Sequence, residues 1–181
     1  VTLHKSAIVK IFGQNPTTFR NTELIFNNEL ANYVESLGYT GILAEGADHI
    51  LNGRSPNFIY CANDNNTNNN DINNSNNNTN FSNKIKVLLK NYKLSDDIAF
   101  RFSNRDWKEW PLTTEKYTSW INKINGNGET INLFMDYETF GEHQWESTGI
   151  FEFLKQFPVE ILKHPDNSFM LPSEVTAKHE I

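Results

Sequence analysis

The chain has 181 residues, enough for a compact domain with its own core, with 13 Phe, 6 Tyr and 4 Trp and a formal net charge of -6. The acidic balance argues against a nucleic-acid partner, because no basic stripe is present to displace counterions from phosphates. One cysteine, Cys61, excludes an internal disulfide framework and a cysteine-based metal site, and no apolar run reaches the length of about 18 residues that a membrane span needs.

Residues 23 to 37 read as a helix, because Phe26, Leu30, Val34 and Leu37 recur on one face. Asn21 or Thr22 suits its start, and Gly38 suits the left-handed position after its end. The run Tyr39–Ala44, closed by Glu45 and Gly46, reads as a short buried strand meeting a loop. Helix followed by buried strand is the rhythm of a parallel α/β sheet.

Residues 63 to 83 contain Asn at 13 of 21 positions, too little apolar surface to offset the entropy of ordering, and are expected to form a disordered surface insertion. Ile85, Val87 and Leu89 alternate as in a strand, and Ala99–Phe102 is a second short extended candidate. The stretch 114–124 is helical in pattern, with Tyr117, Trp120, Ile121 and Ile124 on one face, Thr113 as its cap and Asn125-Gly126 as its stop. Thr130–Asp136 is the strongest strand candidate and again ends in a carboxylate. A last helix carries Ile150, Phe153, Leu154 and Phe157 on one face and is expected to stop at Pro158.

Two predicted strands therefore end in acids, Glu45 and Asp136. Ligand sites of parallel α/β folds lie at the carboxyl ends of the strands. Retaining glycoside hydrolysis needs two carboxyl groups about 5–5.5 Å apart, one protonated and one ionised. A strand-end acid is as readily a cap or a member of an ion pair, so the pattern leaves both meanings open. Glu138, Glu142 and His143 are close in sequence, but three converging ligands are needed for a metal, and His4, His49, His164 and His179 have no ligand spacing. A hydrogen-bonding role for His143 is preferred, and no metal is expected.

The segment FMDYETFGEHQW, residues 134 to 145, resembles the fourth signature region of glycoside hydrolase family 57, the α-amylases and related 4-α-glucanotransferases. GYTGILAEGADHIL, residues 38 to 51, is similar to the third region, which carries the nucleophile. FGQNPTTFRNTELIFNNELA at 12 to 31, RSPNFIY at 54 to 60 and LKNYKLSDDIAFRFSNRDW at 89 to 107 resemble the α-amylase-like members as well. The resemblance implies a partial (β/α)7 barrel over residues 1–181, with the Asn-rich 63–83 inserted in it. It implies Glu45 as nucleophile, Asp136 as general acid/base, and Glu138, His143 and Trp145 beside Asp136. Trp145 and Trp107 are candidates for stacking on sugar rings, with core packing as the alternative. Glu23, Asp48, Arg101 and Asp106 would support the site or form structural ion pairs.

The implied activity is α-amylase-type cleavage of α-1,4 bonds in starch, glycogen or maltooligosaccharides, with no cofactor and a cytoplasmic location. The alternatives are a 4-α-glucanotransferase of the same fold and a non-catalytic glucan-binding fragment. The sequence does not determine oligomeric state. Three departures stand out: the His-Gln-Pro motif of the family's opening strand is absent, Leu51-Asn52-Gly53-Arg54 stands where relatives carry Gly-Trp before Arg-Ser-Pro, and the Asn tract interrupts the segment after it. With Val1 rather than Met in first place, the chain reads as an N-terminally truncated catalytic domain.

Overall fold

The computed structural model describes residues 1–62 and 84–178. The Asn-rich 63–83 lies outside the described residues, as does His179. The chain divides into two compact units, one built from Val1–Glu45, Ile59–Leu89 and Met170–Ile181, the other from Gly46–Phe58 and Lys90–Phe169. Among the described residues no helix is long and apolar enough to cross a membrane.

The first unit is α/β, with a four-stranded mixed sheet. Thr18–Arg20 (β1), Gly41–Ala44 (β2) and Lys86–Leu89 (β4) run parallel, and Tyr60–Cys61 (β3) adds antiparallel to β4, in the order β1-β2-β4-β3. The registers pair Thr18 with Gly41 and Ala44 with Leu89. β2 is a short apolar run buried on both faces, as expected for the centre of a parallel sheet. In β4 all four residues are buried, Lys86 among them, so the alternation of Ile85, Val87 and Leu89 does not mark an inner and an outer face.

The helix expected over 23–37 is shorter. Thr22–Leu24 forms one 3-10 turn and the α-helix is Asn28–Ser36 (α2). Glu23 and Leu24 sit in the left-handed region, at φ 53° and 56°, which ends any continuous helix between Thr22 and Asn28. The cap is instead Asn27, whose side chain accepts from the Leu30 amide. Phe26 falls outside the helix, Ala31 and Val34 are buried, and Gly38 does take the left-handed turn at φ 82°. A further helix, Thr2–Phe12 (α1), buries none of its residues. Pro172–Lys178 (α7) sends Val175 into a cluster with Ile59 and Leu88.

The second unit is mainly helical: Asp48–Leu51 (α3), Tyr92–Ala99 (α4), Thr114–Asn122 (α5) and Ile150–Ile161 (α6). Its core joins Leu94 and Ile98 of α4, Tyr117 and Ile121 of α5, and Ile150, Phe153 and Ile161 of α6. α5 follows its sequence pattern, with the Thr113 hydroxyl accepting from the Lys116 amide as cap. Three expectations are corrected here. Ala99–Phe102 is not extended: Asn91 caps α4 at the Leu94 amide, and the helix runs through Ala99 because Leu94, Ser95, Ile98 and Ala99 are all buried. Pro158 does not stop α6. Its missing N–H removes one helical bond, yet the buried Ile161 holds the last turn, and Leu154 is left exposed.

The third correction is Thr130–Asp136, which forms no strand. Among the described residues it has a single bridge, Lys90 with Asn132, and others of its backbone amides bond to a loop and a side chain. The Asn91 amide donates to the Asn132 carbonyl at 2.9 Å, the Glu129 and Thr130 amides donate to the Asn57 carbonyl at 2.8 and 3.1 Å, and the Phe134 amide donates to Ser95 Oγ at 3.2 Å. The apolar run Ile131, Leu133 and Met135 packs on the helical core rather than on a neighbouring strand.

Gly46, the residue after Glu45, is held in a close approach. A Cβ there would stand 2.1 Å from the Lys90 carbonyl oxygen and 3.1 Å from Pro56 Cβ. Since backbone cannot yield as a side-chain tip can, Gly46→Ala is expected to lose about 2–3 kcal/mol in urea unfolding. A loss within 0.5 kcal/mol, about the spread of a surface substitution, would show that this approach is not tight.

α4 also carries a buried carboxylate. Asp97 receives Arg101 Nε at 2.6 Å, and the Arg101 guanidinium donates further to the Lys93 carbonyl at 2.8 Å. Burial outweighs the guanidinium and raises the Asp97 carboxyl above its ordinary value of 3.8. The folded chain then holds this proton more tightly than the unfolded chain. The stability so contributed is full below about pH 3.8 and is lost as pH rises through the raised folded value. In Asp97→Asn that part of the pH dependence is expected to vanish, checked by urea unfolding at stepped pH above 3.8. Curves that stay parallel in variant and wild type would refute it.

Candidate active site

Glu45 directly follows β2, the strand flanked on both sides by parallel neighbours, so it stands at the carboxyl end of the sheet centre, and its side chain is exposed. Glu23, exposed on a left-handed turn two residues after Asn21 whose next residue, Leu24, is buried, follows the carboxyl end of β1. Two adjacent non-glycine residues in the left-handed region cost roughly 1–3 kcal/mol each and persist only when their surroundings fix them. Asn21 supplies that bracket: its Oδ1 accepts from the Thr22 amide at 3.0 Å and its Nδ2 donates to the Ile25 carbonyl at 3.3 Å.

Asp136 belongs to the second unit. It opens a 3-10 turn, Tyr137–Thr139, where the Thr139 amide donates to the Asp136 carbonyl at 3.1 Å, and its side chain is exposed. The loop then folds back on itself. The Glu142 and His143 amides donate to the Glu138 carbonyl at 3.2 and 3.0 Å, Gln144 N donates to the Thr139 carbonyl at 2.9 Å, and Gly141 N donates to the Gln144 carbonyl at 2.9 Å. These bonds leave Glu138, Glu142 and His143 exposed on the same loop as Asp136. His143 Nε2 lies 4.0 Å from Glu138 Oε1, an exposed pair of small energetic weight that still orients the ring. Trp145 is 66% exposed, and its indole N–H donates to the Glu142 carbonyl at 2.6 Å, which fixes the ring while leaving it open to solvent.

Trp107 has a different setting. It is half-buried against the helical core, edge-on to Trp120 at 6.1 Å, with the Arg101 guanidinium 5.8 Å from its ring centre. Those contacts pack one side of its ring against the helical core of this unit. Arg101 is committed to Asp97, and Asp106 is exposed with its amide bonded to Asn104 Oδ1 at 3.0 Å. Asp48 accepts from the Tyr92 hydroxyl at 2.8 Å and lies 3.2 Å from Lys93 Nζ. The Tyr92 hydrogen bond, then Lys93, holds its carboxyl below the ordinary carboxylate range, so Asp48 ties α3 to α4. Among the described residues no group of three His, Cys, Asp or Glu side chains is placed to hold a metal ion.

Two exposed aromatic side chains at the same loop escaped the sequence reading. Tyr137, next to Asp136, is 97% exposed, and Phe100, at the end of α4, lies 6.2 Å from the His143 ring at a 31° tilt. The signal for Phe100 was its place just beyond a capped amphipathic helix, which the extended reading of 99–102 hid. The exposed loop after Asp136 thus offers carboxylates, an imidazole and the faces of two aromatic rings, with Phe100 of α4 beside His143, a set suited to a polyhydroxylated ring with one polar edge and one apolar face.

The chain is 44% identical over 180 residues to a protein of Methanocaldococcus jannaschii named "Putative alpha-amylase", a match covering 99% of this chain and 34% of the relative. It therefore spans about a third of the length of that relative. A solved structure described as 4-alpha-glucanotransferase from Thermococcus litoralis is similar in fold, with TM-score 0.68 and 17% identity, over 99% of this chain and 25% of that one. The family model for glycosyl hydrolase family 57 matches residues 1–180. With a match that runs essentially from end to end, the chain belongs to glycosyl hydrolase family 57.

Proposed function

We propose that this chain is part of a retaining glycoside hydrolase of the α-amylase type, which cleaves α-1,4-glucosidic bonds of starch, glycogen or maltooligosaccharides. The observation that carries the reading is the 44% identity to the relative named as an alpha-amylase, sustained over 180 residues. The open loop bearing Asp136 and Trp145 supports it.

In this reading Glu45, ionised, attacks the anomeric carbon while Asp136, protonated, delivers its proton to the departing glycosidic oxygen. The carbon–oxygen bond to the leaving sugar breaks and a glycosyl ester on Glu45 forms with inverted configuration. Asp136, now ionised, takes a proton from water, whose oxygen displaces the ester and restores the original configuration. Trp145 serves as the stacking platform, Glu138 and His143 hydrogen-bond sugar hydroxyls, and Trp107 keeps a packing role. The parallel strands of the first unit would belong to a (β/α)7 barrel. No metal or cofactor enters any step.

The test is incubation with maltoheptaose, followed by proton NMR of the anomeric region. The α-anomer is expected to appear first and to mutarotate afterwards. First appearance of the β-anomer would end the retaining mechanism, and an absence of new reducing ends would end the hydrolase reading for this chain. Products longer than the donor would move the assignment to a 4-α-glucanotransferase, which shares the glycosyl ester and passes it to a sugar instead of water. Binding without turnover would leave a glucan-binding role.

A further inference from the structure

The loop that carries Asp136 is exposed along most of its length, yet it is anchored at both ends to one helix. On the side before Asp136, the Phe134 amide donates to Ser95 Oγ at 3.2 Å. Ser95 is wholly buried, and its hydroxyl donates in turn to the Asn91 carbonyl at 2.8 Å, so the oxygen is oriented to receive the amide. On the side after Asp136, the Gln144 amide Nε2 donates to the Ala99 carbonyl at 3.0 Å. Ser95 and Ala99 are four residues apart on α4, hence on one face and one turn from each other. Ala99 ends the helix, where a carbonyl has no helical partner and is free to take this bond.

Gln144 is 2% exposed, whereas His143 and Trp145 on either side of it are open to solvent. Its backbone holds the loop turn together as well, by accepting from Gly141 N and donating to the Thr139 carbonyl, both at 2.9 Å. The other polar end of its side chain, the oxygen Oε1, is buried with no hydrogen-bond partner among the described residues. A buried amide that satisfies only one of its two ends is a poor device for stability alone. It can still serve orientation, because a hydrogen bond has a preferred direction.

We propose that Ser95 and Gln144 are positioning residues: together they clamp the 134–145 loop to α4 and set the placement of Asp136, His143 and Trp145 toward substrate. Neither touches the reacting atoms. Ser95 fixes where the chain enters the loop, two residues before Asp136. Gln144 fixes the exit and, through its neighbours, the directions of the His143 and Trp145 side chains. The consequence for catalysis rests on the glycoside hydrolase reading above, whereas the clamp itself does not.

The experiment compares wild type with Ser95→Ala and Gln144→Met, the second a substitution of similar volume that removes the bond to Ala99 and also the unpartnered oxygen. The first readout is ligand-free NMR, with Trp145 identified through Trp145→Phe. In Gln144→Met the Trp145 indole resonance is expected to move while those of Trp110 and Trp120 stay in place. In Ser95→Ala the backbone amides of Asp136 and Tyr137 are expected to move. Thermal unfolding of Gln144→Met is expected to stay close to wild type, which separates positioning from stability. The second readout is maltoheptaose turnover, where a loop displaced by about 1 Å should cost roughly 10- to 100-fold in kcat/KM. Unchanged loop resonances in both folded variants would overturn the clamp, and shifted resonances with unchanged turnover would overturn its role in positioning the loop toward substrate. A wild-type chain that neither binds nor hydrolyses maltoheptaose would end the glycoside hydrolase reading, and the resonances then decide the clamp by themselves.

Discussion

On the proposed retaining mechanism, Glu45→Ala and Asp136→Ala are each expected to lower hydrolysis of a maltooligosaccharide by at least about 10³-fold, and to be told apart by azide. With Glu45 shortened, azide occupies the face from which the carboxylate would attack. A single displacement on an α-linked donor then yields the β-glycosyl azide, while Asp136 still protonates the leaving oxygen. With Asp136 shortened, an aryl glycoside, whose leaving group needs no proton, still forms the glycosyl ester on Glu45. Azide, which unlike water needs no general base, then displaces that ester. Two inversions restore the starting configuration and yield the α-glycosyl azide. The opposite anomers assign the two roles independently of rate. The same anomer from both variants, or near-normal hydrolysis by either, would refute the assignment.

Tyr117→Ala is expected to have the largest effect on stability, a loss of about 3–5 kcal/mol measured by urea unfolding. Its side chain is fully buried, with edge-on contacts to Phe153 at 5.6 Å, Phe157 at 5.4 Å and Trp120 at 6.2 Å. Its hydroxyl donates to the Leu94 carbonyl at 2.9 Å, so one residue of α5 bonds α4 and fills the space against α6. Burial raises the hydroxyl far above its ordinary value, which keeps it a donor at every working pH. Tyr117→Phe removes only that bond and is expected to cost about 1–2 kcal/mol, since the Leu94 carbonyl loses a buried partner. A loss below about 1 kcal/mol in Tyr117→Ala would mean that the helices of this unit are held elsewhere.

Where each segment's partners are local, the chain spells out its own structure. α5 could be read from Thr113, its apolar spacing and Gly126 because a cap, a stripe and a stop are decided within one or two turns. β2 could be read from an apolar run between Gly38 and Gly46, and the position of Glu45 just after it follows from the same pattern, whereas Asp136 opens a 3-10 turn and not the end of the expected strand. The resemblance to family 57 rested on long motifs and needed no coordinates, and the match over residues 1–180 agrees with it.

Other segments are decided by contacts that sequence spacing does not encode. Phe26, Leu30, Val34 and Leu37 make a helical stripe, yet left-handed Glu23 and Leu24 and the Asn27 cap delay the helix to Asn28. Thr130–Asp136 has the composition of a strand, but its amides are claimed by Asn57 and Ser95, partners well separated from it in the chain. Pro158 reads as a stop, and the burial of Ile161 overrides it.

The same division runs through the site. Sequence alone singled out residues of suitable chemistry: the acids Glu45 and Asp136, an imidazole, and an indole in a polar run. Only the tertiary structure decided that Trp107 packs against Trp120 while Trp145 faces solvent, and that Gln144, reading as one more polar residue of an exposed run, is buried against α4. The physical reason is that capping and periodicity act between near neighbours. Burial and the choice of a hydrogen-bond partner are settled by whichever distant segment the folded chain brings to the right distance, and for this loop that segment is the face of α4 between Ser95 and Ala99.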